Sequence, residues 1–168
     1  MMPGDSHLAI YLNDHLGGAT GGLELARRAS RANPDGELGT FLRRLAIEIA
    51  EDRDHLVGIM RQLEVGRDRI KVAGGWTAEK LGRLKLNGQL RGYSPLSRVL
   101  ELEGLIAGVN GKLALWHSLI QLSPSEPRLD GALLDRLAER AESQIEELRR
   151  HHRTAAAETF AGAPPVSR

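Results

Sequence analysis

Apolar residues recur at helical rather than strand spacing along most of this chain. Leu8, Leu12, Leu16, Ala19, Leu23 and Ala26 make one stripe. Their steps of three and four residues place them on a single helical face. Leu38, Leu42, Leu45, Ile49, Leu56, Ile59 and Leu63 make a second stripe, interrupted by Asp52. Val99, Leu102, Ile106, Val109, Leu113, Trp116 and Ile120 make a third, and Leu134, Leu137, Ala141, Ile145, Leu148 and Ala155 a fourth. No run alternates with period two between turn residues, so the pattern predicts no strand.

Punctuation sets the helix ends. The first helix is predicted over about 6–32, with Asp5 or Ser6 as cap, because their side-chain oxygens can accept a first-turn N–H. Asn33-Pro34-Asp35-Gly36 is a tight connection, with Pro34 suited to a first helical position. The second helix is predicted over about 35–65, antiparallel to the first. Ser94-Pro95 opens a third, to about 122, and Pro124 and Pro127 separate it from a fourth over about 129–160. Residues 66–93 are the long irregular stretch. Within it Thr77 can cap a short helix, Ala78 to Leu86, closed by Asn87-Gly88. A connection of that length reads as a crossover between opposite ends of a bundle. Gly17, Gly18, Gly21 and Gly22 crowd the middle of the first helix. Each costs about 1 kcal/mol relative to alanine, so the cluster predicts close packing against a neighbouring helix or, as the alternative, a break or bend in the first helix.

The expected architecture is therefore an all-α four-helix bundle, one domain over 1–160, followed by a disordered tail, 161–168. A chain of 168 residues can bury one core. It has no cysteine, which excludes disulfides, thiolate metal sites and a cysteine nucleophile. The N-terminus lacks a basic region followed by an apolar run, and the longest uncharged stretch, 113–125, is too short to span a bilayer. The expectation is a cytoplasmic protein without a membrane segment. Net charge is +1, but arginine outnumbers lysine 19 to 4.

Four amphipathic helices, two short loops and one long middle crossover resemble the ferritin-like superfamily. The stretches YLNDHL, LEGLIAGVNGKLALW and WTAEKLGRLK are similar to those of uncharacterised bacterial proteins of this shape. The resemblance implies a place to look for iron. The family pattern takes one Glu from each of two helices and Glu-x-x-His from each of the other two. Asp52-Arg53-Asp54-His55 stands where Glu-x-x-His would, Glu48 lies one turn earlier, and Glu103 resembles the single Glu of the third helix. The candidate metal ligands are Glu48, Asp52, His55 and Glu103. The fourth helix breaks the pattern: its inward positions are Ala141, Gln144 or Ile145, none a good iron ligand. Against a metal stands an ion-pair reading, in which Asp52 bonds an Arg or Gln of a facing helix, because an unpaired buried charge is too costly.

Other chemistry finds less support. Hydroxyl–imidazole neighbours such as His117 and Ser118 lack an orienting third group, and the glycine clusters match no phosphate-binding fingerprint. His151-His152 among arginines reads as a basic run favourable to a helix C-terminus.

Charge is unevenly spread. Residues 61–98 hold nine Lys or Arg and three acids, net +6, leaving about −5 elsewhere. Arg67, Arg69, Lys71, Lys80, Arg83 and Lys85 are the candidate partner-binding residues there. They suit nucleic acid, an anionic protein, or the acidic helices of the same chain or of a second copy in a homo-oligomer. Docking on the helices is the favoured reading. The functional expectation is a ferritin-like bundle of unassigned function that is not a competent di-iron oxidase and holds no cofactor. The alternatives are a metal-binding or stress-related ferritin-like protein carrying iron or another divalent metal, and an interaction module acting through 61–98.

Overall fold

The computed structural model describes residues 7–66 and 93–161. Among them are four long helices and no strand. α1 spans His7–Ala32, α2 Gly36–Gln62, α3 Pro95–Leu122 and α4 Gly131–Phe160, with a 3-10 turn at Ser123–Ser125. At about 1.5 Å per residue each helix is roughly 40 Å long.

The caps follow local chemistry. Ser94 accepts from Ser97 N at 3.1 Å with Pro95 at the first helical position. Asp130 accepts from Leu133 N at 3.1 Å. Pro34, expected at the start of α2, lies before it: Asp35 is the N-cap and Gly36, at φ +73°, takes the turn. At the far end of α2, Glu64 N donates to Arg61 O and Val65 N to Met60 O, with Glu64 in the left-handed region at φ 57°. This is the usual helix stop with Glu where Gly is preferred. The caps expected at Asp5 or Ser6, the short helix at 78–86 and most of the tail fall outside the described residues.

Cross-helix bonds fix the directions. Tyr11 meets Ser118, and Arg28 meets Glu101, so α1 and α3 are antiparallel neighbours. Glu37 meets Arg150, and Glu51 meets Arg140, so α2 and α4 are antiparallel too. Gly66 O accepts from Asn13 Nδ2 near the start of α1, whereas the Tyr93 hydroxyl accepts from Asn33 Nδ2 at its end. Positions 66 and 93 therefore lie at opposite ends of the helices.

All four helices contribute to one apolar core, including Leu12, Leu45, Trp116 and Leu148. The stripes expected on α2 and α4 are buried except Leu38, which is half-buried. On α3, Ile106, Leu113 and Ile120 are only half-buried, while Leu105, Leu115 and Leu119 are buried. The reason is that α3 packs against both α1 and α4, so its buried arc is wider than one stripe.

The glycine expectation is corrected at Gly18 and Gly22, whereas Gly21 is buried. A Cβ at Gly18 or Gly22 would meet nothing within 4 Å, so no helix approaches there, and α1 runs unbroken. A position that requires glycine is Gly39, where a Cβ would collide with the Asn33 carbonyl oxygen and lie 2.9 Å from Pro34.

Candidate functional site

α2 and α4 stand further apart than the helices of the two hairpin pairs, and long polar side chains span the gap. The centre of that span is Asp52, 2% exposed on the core face of α2. It falls inward because Ile49 and Leu56, one turn to either side, are both buried. One carboxylate oxygen accepts from Arg140 Nη2 of α4, and the other from Lys112 Nζ of α3. The Lys112 ammonium also donates to Gln144 Oε1 at 2.5 Å. Gln144, 3% exposed, turns its amide nitrogen to Glu48 Oε2 at 2.7 Å.

The network continues along both helices. Glu48 lies 3.4 Å from Arg44 Nε, and Arg44 also pairs with Glu147. Arg140 donates to Glu51 at 2.8 Å, and Arg150 to Glu37 at 3.2 Å. At the centre, Glu48, Glu51 and Asp52 face Arg44, Lys112 and Arg140, so negative and positive charges match. Matching matters because a buried charge without its partner costs several kcal/mol. Burial lowers the Lys112 pKa, and Asp52 opposes that shift. A lysine suits the position. Its compact ammonium on a flexible stem can reach between a carboxylate and an amide oxygen where a planar guanidinium fork would need more room.

The four candidate metal ligands are not brought together. Glu48 and Asp52 share this network. His55 is exposed on α2. Glu103 is exposed on α3 and lies 3.1 Å from His152 Nε2 of α4. Among the described residues no group of three His, Asp or Glu side chains is arranged to hold a metal ion. Ala141, Gln144 and Ile145 are all buried, as the inward face of α4 requires. The groove lined by Val57, Met60, Arg61, Val65 and Gly66, about 240 Å³, includes none of these candidate ligands. Arg67, Arg69, Lys71, Lys80, Arg83 and Lys85 lie outside the described residues. No described helix is long and apolar enough to cross a membrane.

Further buried polar positions escaped the sequence patterns. Glu101, 3% exposed, accepts from Arg28 Nε and the Tyr93 hydroxyl, each at 2.8 Å. Asn33 donates to that hydroxyl and accepts from Arg98 Nε at 2.8 Å. This group ties the start of α3 to the end of α1. Burial, with the neighbouring Glu101, pushes the Tyr93 pKa up to about 12. His151 is buried and stacks on Phe41 with ring centroids 5.0 Å apart.

A signal for Lys112 was present. It is the one lysine outside 71–85 and the one Lys, Arg, Asp or Glu between 104 and 122. A lone charge in so apolar a helix needs a partner. For Glu101 the chain offers no such contrast, since Glu103 stands two residues away.

No protein-family model, no curated protein and no solved structure matches the chain.

Proposed function

We infer that this chain is a non-catalytic helical scaffold of ferritin-like topology, in which the Lys112 ammonium stands as the resident cation of the centre. The observation that supports this reading is the lysine itself, held between Asp52 and Gln144. A bridged metal pair needs carboxylates from several helices with oxygens free to ligate. Here the central carboxylates all come from α2, and Arg44, Lys112, Arg140 and Gln144 engage them. An ammonium and a divalent cation compete for the same oxygens, so each disfavours the other.

The test is metal analysis of the full chain purified from iron-supplemented growth, with an aerobic ferrous oxidation assay beside it. The expected result is sub-stoichiometric iron and ferrous oxidation no faster than in buffer. A tightly bound iron pair, lost in Asp52→Ala or His55→Ala, would overturn the reading in favour of a metal-binding protein.

A further inference from the structure

We propose that His151 is an acid-sensitive latch between the end of α4 and the start of α2, released when its imidazole is protonated. The proposal goes beyond the scaffold reading and does not depend on it.

The geometry makes the neutral ring necessary. His151 is 6% exposed, and its ring lies nearly parallel to Phe41 of α2, with 23° between planes. Its Nε2 is 3.1 Å from Arg150 Nη2. A guanidinium has no acceptor, so Nε2 must accept and the ring proton must sit on Nδ1. Protonation puts a hydrogen on Nε2 and turns that contact into two donors facing each other.

The surrounding charges do not rescue an imidazolium. Arg44 of α2 lies 5.5 Å from the centre of the Phe41 ring and adds a second cation beside the stack. Glu37 of α2 is paired with Arg150. Glu147 of α4 is paired with Arg44 and lies 3.8 Å from Arg150. At this level of α3, Glu101 is held by Arg28 of α1 and by Tyr93, and Glu103 by His152. Among the described residues, each of these carboxylates already has a cation or a donor. Burial, reinforced by Arg150, lowers the His151 pKa, in agreement with this geometry.

Protonation therefore favours a state in which the ring leaves Phe41 for water. What separates is the corner where α2 begins and α4 ends. The Asp52–Lys112 centre, built without histidine, stays closed.

The experiment is hydrogen exchange on the full chain at pH 7.5 and 5.5, corrected for intrinsic rates, with an NMR titration of the histidine nitrogens. Each unit by which the folded pKa lies below the unfolded one amounts to about tenfold in the opening equilibrium on acidification. The expected result is that backbone amides around Phe41 and His151 lose protection, by up to about tenfold over this window for an ordinary histidine near 6.5, while those around Asp52 and Lys112 do not. His151→Phe and His151→Gln should each abolish the pH dependence, and His15→Gln should keep it. Equal protection at both pH values, or an unchanged dependence in the folded His151 variants, would overturn the proposal. Where neither variant folds, the titration decides: a His151 midpoint below the ordinary histidine value of about 6.5 supports the latch, and one at or above it sinks it.

Discussion

Lys112 Nζ and an Asp52 carboxylate oxygen meet in the interior between α3 and α2, and Arg140 of α4 holds the other oxygen of the same carboxylate. One acidic side chain thus joins three helices. Within the Asp-x-x-His of α2, Asp52 points inward while His55 is exposed.

That relationship predicts strong coupling. Asp52→Ala leaves Lys112 and Arg140 without their shared carboxylate and should cost about 3–5 kcal/mol, the range for stripping one partner from a buried pair. Lys112→Met should cost less, about 1–3 kcal/mol, since Arg140 still holds Asp52. In the double variant the penalties should not add: a coupling of about 1–3 kcal/mol is expected from denaturant unfolding. Strict additivity would mean that the two groups do not interact.

Tyr93 predicts an alkaline limit on stability. Its folded pKa, about 12, lies above the ordinary value of 10. The folded state therefore keeps the phenolic proton after the unfolded state has lost it. The associated stability is present below pH 10 and is lost as pH rises from 10 towards 12. Lys112 slopes the other way, because its folded pKa is lowered. Comparison with Tyr93→Phe isolates the tyrosine. The variant should be less stable at neutral pH by about 1 kcal/mol, the worth of a lost hydrogen bond, and should show a shallower alkaline decline. A parallel decline in both proteins would remove Tyr93 as the cause.

The glycines separate into two classes by thermal melting. Gly18→Ala and Gly22→Ala, with open space around the new methyl, should each stabilise by about 0.4–1 kcal/mol through the unfolded chain. Gly39→Ala drives a methyl into the Asn33–Pro34 backbone and should cost about 1–3 kcal/mol. The opposite order would show that α1 needs its glycines for contact after all.

Periodicity and punctuation determined the four long helices of the described residues, roughly where they run, and that Asp52 interrupts an apolar stripe. These are local matters: helical spacing and capping oxygens act within a few residues, and the helix bounds follow from them. The inward face of α4, Ala141, Gln144 and Ile145, was legible for the same reason. What answers Asp52 was not. Lys112 lies 60 residues away and Arg140 88, and no local rule selects them over Arg43, Arg44, Arg53 or Arg61. The burial of Glu101 and of His151, and the open space at Gly18 and Gly22, likewise depend on which faces meet. Tertiary structure decided them, because a charge is buried only where a distant partner offsets its lost hydration, and a glycine is crowded only where another backbone comes near.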